Sequence, residues 1–399
     1  MFAADPLLAG KIGFAVIAIV VLKTVITFVF LLVATMLMIW FERKIIGDMQ
    51  NRIGPTRAGP WGILQSLADG IKVFFKEDSM PDRADRSVFK LAPYLSLVPA
   101  FITFAVIPIG GDFSHDRGGI ISVFGHKTLF QLADPPIGFL IVLAMSSIAV
   151  YGVMLAGWSS GSKYPLLGSV RASAQMVSYE AALGLSTAAV FLVTGALNTN
   201  AIVAAQHTWK WNLWITGGVP FVLFLIAGTA EANRPPFDLV EAEQELVAGF
   251  HTEYSSIRFA LFYLAEFMNA ITLAAILTTL FLGGPNGPLF LGRFVSPLFW
   301  FFLKLVALLF CFVWMRATLP RFRYDQLMDL GWKVLIPIAL GWLLILIAFR
   351  VGNELGWHWY VVFPACVAVI IAAYSLLMAA MAVAQRNHES DLLNEGVFD

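Results

Sequence analysis

Charged residues are scarce in this chain of 399 residues. They make up 13% of the sequence, against about 25% in a typical soluble domain, whereas hydrophobic residues make up 59%. This balance excludes an ordinary soluble protein and predicts a polytopic membrane protein. No polar stretch is long enough for a separate soluble domain, so we expect a single membrane domain over residues 1–399.

Cysteine is also nearly absent. The two cysteines, Cys311 and Cys366, both lie within apolar segments and lack the number and spacing of an iron–sulfur or zinc site. We therefore expect this chain to bind no metal. The net charge of zero gives no reason to expect nucleic acid as a partner.

Long apolar windows are abundant. A helix needs about 20 apolar residues to cross the hydrocarbon layer. Such windows lie near residues 12–41, 91–110, 135–157, 173–195, 215–230, 257–282, 297–316, 332–350 and 359–384. The pattern predicts an all-α polytopic membrane fold with about nine transmembrane helices. The first window has no small-residue cleavage site after it, so we expect it to stay in the membrane.

Lys and Arg concentrate in the loops that follow the odd-numbered windows. Because basic loops remain in the cytoplasm, we expect the N-terminus outside and the C-terminal tail, residues 385–399, inside. The loops at 42–90, 231–256 and 316–333 would then all be cytoplasmic.

The first of these loops contains two kinds of sequence. Its glycines and prolines between Glu42 and Pro60 argue against a regular helix there. Residues 60–76 then show apolar side chains at three- and four-residue spacing opposite Lys72 and Lys76, which predicts an amphipathic helix at the membrane interface. This helix could be an anchor that contacts lipid headgroups or a lateral gate through which an amphiphile enters.

The second loop is crowded with carboxylates. Of 26 acidic residues in the chain, six lie between residues 231 and 253, opposed by one base, Arg234. Closely spaced carboxylates cannot all ionise at once, so they should titrate as a coupled set with raised pKa values. We interpret the loop as a device for handling protons or cations, against the alternative of a solvated acidic surface.

Two further carboxylates, Glu180 and Glu266, lie inside apolar windows. Ionisable groups are costly in a membrane and usually have a function, although each could be a protonated acid hydrogen-bonded to a neighbouring helix. The third loop, with Arg316, Arg321 and Arg323, could line a polar cavity, dock a partner or simply fix topology.

Five motifs together resemble a known family. They are Glu42-Arg43-Lys44 to Gly54-Pro55, Ala68-Asp69-Gly70 to Glu77, Arg171 to Glu180, Ala230-Glu231 to Tyr254, and Arg316 to Lys333. In order and spacing they resemble the quinone-site membrane subunit of respiratory complex I, the proton-translocating NADH-quinone oxidoreductase, in the bacterial form that is equivalent to mitochondrially encoded subunit one. The polar loop at 110–134 and the ninth window with its tail look unlike the shortest members of that family.

The resemblance implies a role for specific residues. It places the quinone path beside Arg43, Arg52, Asp69, Gly70 and Lys72, with Arg234, Arg316 and Arg323 as further candidates. It assigns proton coupling to Glu180, Glu231, Glu241, Glu243, Glu245, Glu253 and Glu266.

The resemblance also implies the surroundings of the chain. Quinone, either ubiquinone or menaquinone, would be the substrate, and this chain would hold neither metal nor flavin. Electrons would come from an iron–sulfur cluster in a peripheral-arm subunit, and antiporter-like and small membrane-arm subunits would be further partners, with lipid around them in a bacterial plasma membrane. Two alternatives stay open: the membrane subunit of an energy-converting hydrogenase, and a stand-alone cation or proton transporter.

Overall fold

The computed structural model describes residues 5–8, 13–113, 118–123, 125–207, 209–238 and 246–357, with scattered positions from there to 383. Helices dominate these residues. They are α1 (Phe14–Met49), α2 (Gln65–Phe74), α3 (Arg86–Phe104), α4 (Gly138–Ser159), α5 (Lys163–Thr194), α6 (Thr199–Ala205), α7 (Asn212–Ile215), α8 (Val219–Glu231), α9 (Ser256–Phe281), α10 (Gly292–Thr318), α11 (Tyr324–Asp329) and α12 (Ile336–Glu354). A π-helical turn, Leu330–Leu335, makes one continuous run of α11 and α12.

Seven helices in the described part of the chain are long and apolar enough to cross a membrane: α1, α3, α4, α5, α9, α10 and the run Tyr324–Glu354. The fifth predicted window contains the shorter apolar helix α8, of 13 residues. Eight of the nine predicted windows are therefore helical, and the all-α polytopic membrane fold is confirmed. The ninth window lies largely, and the tail at 385–399 wholly, outside the described residues.

A small β-hairpin occupies the polar loop between α3 and α4. Strands β1 (Ile120–Val123) and β2 (His126–Leu129) pair antiparallel, with Ile120 opposite Leu129. The buried carboxylate of Asp5 ties this hairpin to α1, because it accepts from Lys23 Nζ and from Thr128 Oγ1, each at 2.8 Å.

The structure corrects the expectation for residues 42–60. Helix α1 continues to Met49, so the start of the predicted loop is helical. The chain then turns back sharply, and a Cβ on Gly54 would lie 3.2 Å from Lys44 Cα. Glycine here allows the returning backbone to lie against the helix, so this residue favours a reversal after the helix and does not prevent the helix itself.

The interfacial helix is shorter than residues 60–76. A single 3₁₀ turn, Pro60–Gly62, comes first, and the positive φ angles of Trp61 and Gly62, 53° and 78°, separate it from α2. Helix α2 is fixed to α1 by Ser66 Oγ, which donates to Met36 O at 3.0 Å. Apolar side chains of α2 are exposed in this chain, Ile71 among them, which is half exposed.

The chain divides into two units, Met1–Ala339 and Leu340–Asp399, and every group of the site described below belongs to the first. The core of that unit lies where α3, α4, α5, α8 and α9 pack together. Large side chains such as Tyr179 and Phe267 are almost completely buried there. Small residues let the helices approach closely: a Cβ on Gly152 of α4 would lie 2.7 Å from Ser96 N on α3.

We predict that Gly152→Ala destabilises the protein by about 1–3 kcal/mol, because the added methyl group meets the backbone of α3 and cannot move aside. The apparent melting temperature in detergent should fall. Gly184→Ala is the control, since a Cβ there meets nothing within 4 Å. Equal melting temperatures for the two variants would contradict this account of the α3–α4 contact.

Candidate functional site

The most buried charges of the site meet at Glu42, in the last part of α1. Its carboxylate forms one ion pair with Arg234 Nη1 at 3.2 Å and a second, close ion pair with Arg316 Nη1. The side chains of Glu42 and Arg234 are only 7% and 8% exposed. One carboxylate therefore joins α1, the segment after α8 and the end of α10.

A cavity of about 390 Å³ opens beside Glu42. We call it the charged cavity. It is lined by Ile39, Glu42, Arg43, Ile46, Gln50, Arg52, Tyr263, Phe267, Arg316 and Ala317. Apolar and aromatic side chains thus form part of the wall, and three arginines place hydrogen-bond donors on it.

The turn after α1 borders this cavity, and the interfacial helix contacts one of its arginines. Arg43 Nη1 forms an ion pair with Asp69 Oδ2 of α2 at 2.5 Å, and Arg52 Nε donates to Gln50 Oε1 at 2.6 Å. Because the Arg43–Asp69 pair is about half exposed, it orients these groups more than it stabilises the fold.

Arg234 connects the charged cavity to a second carboxylate. Its Nε lies 3.2 Å from Glu266 Oε1, and its guanidinium carbon lies 3.8 Å from the centre of the Phe267 ring. Both contacts come from α9. A buried guanidinium that pairs with two carboxylates couples them electrostatically. A change of charge on one carboxylate alters how strongly the guanidinium interacts with the other.

Two smaller cavities, each of about 40 Å³, lead away from Glu266. Apolar side chains make up much of both linings, and the polar residues among them include Glu266, Asn269, Glu231 and His251 in the first cavity and Asn269, Glu231 and Ser146 in the second. A cavity needs only about 10–15 Å³ to hold a water molecule, provided that polar partners line it. Glu231 Oε2 is buried and has no hydrogen-bond partner among the described residues, as expected of an oxygen that accepts from such a water.

Glu180 lies beyond the second of these cavities. Ser146 donates to Glu180 Oε1 at 3.4 Å and is also hydrogen-bonded to Glu231, while Ser147 makes a short hydrogen bond to the same Glu180 oxygen. The two carboxylates interact electrostatically. Contacts, a hydroxyl and two small cavities thus join a line of ionisable groups, which we call the carboxylate line: Glu42, Arg234, Glu266, Glu231 and Glu180.

The structure brings together many but not all of the predicted site residues. Glu231 is the buried last residue of α8 and does not lie in a loop. Arg323 is exposed at the start of α11, and Gly70 and Lys72 are exposed on α2 and do not line the charged cavity. Glu253 is partly buried. Glu241, Glu243 and Glu245 lie outside the described residues.

Four participating residues were not predicted. Glu42 has the clearest sequence signal, because it is a carboxylate at the end of an apolar window. Ser146 and Tyr263 carry no such signal, since serine and tyrosine are common in membrane helices. His251 could have been suspected from its place beside Glu253.

His251 lies just before α9 and is 8% exposed. Its Nδ1 lies 3.1 Å from Ala248 O, so this nitrogen carries the proton and donates it, because a carbonyl can only accept. Burial lowers the pKa of His251 to about 4, and the imidazole is therefore neutral at physiological pH.

Comparison with known proteins agrees with the resemblance seen in the motifs. A sequence model of one family, described as NADH dehydrogenase, matches residues 22–347. In Frankia alni, the NADH-quinone oxidoreductase subunit that is designated H is 53% identical over 356 residues, which cover 88% of this chain and 76% of the relative. The proteins of the same name from Frankia casuarinae and Streptomyces avermitilis are 53% and 50% identical, over 84% and 83% of this chain and 73% of each relative.

We predict that His251 makes the protein sensitive to acid. Between its ordinary pKa of 6.5 and its folded value of about 4, only the unfolded chain binds a proton on this ring, so stability falls as pH is lowered through that window. His251→Asn should flatten the pH dependence of the unfolding free energy by up to about 1.4 kcal/mol per pH unit. His126→Asn, at an exposed ring on β2, is the control, and an unchanged slope in the His251 variant would contradict the prediction.

Proposed function

This chain belongs to the NADH dehydrogenase family, and on that premise we propose that it forms part of the quinone chamber of a proton-pumping NADH-quinone oxidoreductase and couples quinone reduction to proton movement. One observation carries the proposal. The charged cavity, which suits a quinone, is joined through Arg234 to the carboxylate line, which suits protons.

The charged cavity has the chemistry that a quinone head group needs. The head group is a flat ring with oxygens at opposite edges, so it requires apolar contacts on its faces and donors at its rim. Tyr263 and Phe267 supply aromatic surface, and Arg43, Arg52 and Arg316 supply donors on the same wall. Reduction to quinol takes two electrons and two protons. The electrons would come from an iron–sulfur cluster of a partner subunit.

The carboxylate line supplies a route by which quinone reduction changes the protonation of carboxylates outside the charged cavity. Negative charge arriving in the cavity competes with Glu42 for Arg316 and Arg234. When Arg234 turns toward the cavity, Glu266 loses its cation and its affinity for a proton rises. Glu266 therefore takes up a proton, which the solvent supplies through the charged cavity. When Arg234 returns to Glu266, this proton is released through cavity water to Glu231, and by way of Ser146 to Glu180.

The remaining expectations belong to the same proposal. Glu253 takes part in proton coupling, as does the run Glu241, Glu243 and Glu245, which lies outside the described residues. Asp69, Gly70, Lys72 and Arg323 border the approach of quinone or of the peripheral arm. Helix α2 lies on lipid at the quinone entrance. The chain works in a bacterial plasma membrane with its N-terminus outside, beside peripheral-arm and antiporter-like subunits that complete the chamber and the pump.

We predict that Arg316→Gln raises the KM for quinone by roughly tenfold, the worth of one charge-assisted hydrogen bond. The measurement is NADH-driven quinone reduction in membranes that contain equal amounts of assembled complex. Arg350→Gln is the control, because this arginine is exposed on α12 and pairs with its equally exposed helix neighbour Glu354. A parental KM in the Arg316 variant would argue against quinone in the charged cavity.

We predict that Glu231→Gln lowers the number of protons pumped per electron, because glutamine keeps the shape but cannot pass on a proton. The ratio is measured in sealed vesicles, with the electron-transfer rate recorded in the same samples. Glu354→Gln, at an exposed carboxylate, should keep the parental ratio. If Glu231→Gln also pumps at the parental ratio, the carboxylate line is not the coupling path.

A further inference from the structure

Two short connecting segments lie beside the arginines that meet at Glu42. Arg234 lies in residues 232–238, which follow α8, and Arg316 lies in the last turn of α10, just before residues 319–323. The backbone of the first segment therefore positions Arg234, and the second segment continues the chain directly after the helical turn that carries Arg316. Because both must reach one carboxylate, the distance between the two segments sets the geometry of the site.

Contacts between described residues join these segments directly. Arg321 Nη2 lies 3.2 Å from Asp238 Oδ2, Phe322 N donates to Pro236 O at 3.2 Å, and the rings of Phe237 and Phe322 stack with their centres 5.4 Å apart. A backbone hydrogen bond and a ring stack thus lie next to the Asp238–Arg321 ion pair.

We propose that the Asp238–Arg321 pair is a positioning latch, which sets the spacing of Arg234 and Arg316 across Glu42 and thereby the affinity of the charged cavity for quinone. The inference rests on the proposed function of that cavity. Asp238 and Arg321 are not among the described residues that line the cavity, so both act through the arginines at Glu42.

The two members of the pair differ in burial, and the buried carboxylate needs its partner more than the arginine does. The side chain of Asp238 is 2% exposed and that of Arg321 is 47% exposed. A carboxylate buried to this degree requires a cation or several donors, whereas Arg321 alone could remain in water. The carboxylate therefore draws the 319–323 segment onto the 232–238 segment.

The core then anchors one half of the latch. Gln175 of α5 donates through Nε2 to Ala230 O and to Phe237 O, each at 2.7 Å, and so fixes both ends of the segment that carries Arg234. Through Asp238 the same anchor reaches Arg321 and the end of α10. Gln175 therefore helps to hold both arginines in place: Arg234 through its own segment, and Arg316 through the Asp238–Arg321 pair.

Charge gives a second reason for the pair. Arg321 and Arg316 are close enough for their like charges to repel each other. Asp238 neutralises Arg321, and this leaves the charge of Glu42 to compensate Arg234 and Arg316. Loss of Asp238 would both release the segment and strengthen the repulsion on Arg316.

The test compares Asp238→Asn, Arg321→Gln, their double variant and Arg321→Lys in membranes that hold the whole complex. NADH–ferricyanide activity measures the amount of assembled enzyme, and steady-state kinetics give kcat and KM for quinone. We expect each single neutralising variant to raise KM several-fold with a smaller change in kcat. The double variant should be no worse than the worse single variant, because both remove one interaction. Arg321→Lys should recover most of the parental KM.

The nearby pair Lys333–Asp329 provides the matched control. It is an exposed ion pair at 2.8 Å within one helical run, with both side chains 61% exposed. The variant Asp329→Asn with Lys333→Gln should retain the parental KM. It shows whether loss of any ion pair near this loop is enough to disturb quinone binding.

Distinct outcomes separate the possibilities. A parental KM in Arg321→Gln, or additive effects in the double variant, overturns the latch. Less assembled complex with a parental KM also overturns it, because the pair is then purely structural. If Asp238→Asn does not assemble, the half-exposed Arg321 variants decide alone. An unchanged KM in Arg316→Gln contradicts the proposal that quinone binds in the charged cavity. A raised KM in Arg316→Gln, together with a parental KM in the Asp238 and Arg321 variants, contradicts only the latch.

Discussion

The arrangement of the whole site depends on one buried guanidinium, that of Arg234. It lies between Glu42 and Glu266, at 3.2 Å from each, and over the ring of Phe267. Taking this cation out of water is costly unless opposite charges compensate it, so the fold must bring α1 and α9 to the segment after α8. The positions of the three elements are therefore coupled through one side chain.

The same constraint explains why the charged cavity and the carboxylate line are neighbours. Glu42 belongs to the cavity wall and Glu266 to the line, and Arg234 compensates both. In a low-dielectric interior a charge on one side changes proton affinity on the other without a large movement. Two cavities of about 40 Å³, both lined in part by Glu231, extend this coupling toward Glu180.

Sequence reasoning found the elements better than it found their ends. Apolar length identified eight of the helices because hydrocarbon thickness imposes it on any spanning segment. It placed the end of α1 too early, since Gly47 was interpreted as a helix breaker although the glycine serves the backbone that returns past Gly54. It also assigned Glu231 to a loop, because nothing in the local pattern shows that α8 carries its last turn into the core.

The amino-acid sequence by itself determined the class of protein, the helical segments and the position of Glu180 and Glu266 within apolar windows, because each follows from composition and spacing along one chain. Only the tertiary structure decided which charged residues form ion pairs with each other. Glu42 and Arg234 are far apart in sequence, and so are Asp238 and Arg321, and no periodicity connects them. Which charges meet depends on how helices pack, and packing is a property of the three-dimensional arrangement and not of any single segment.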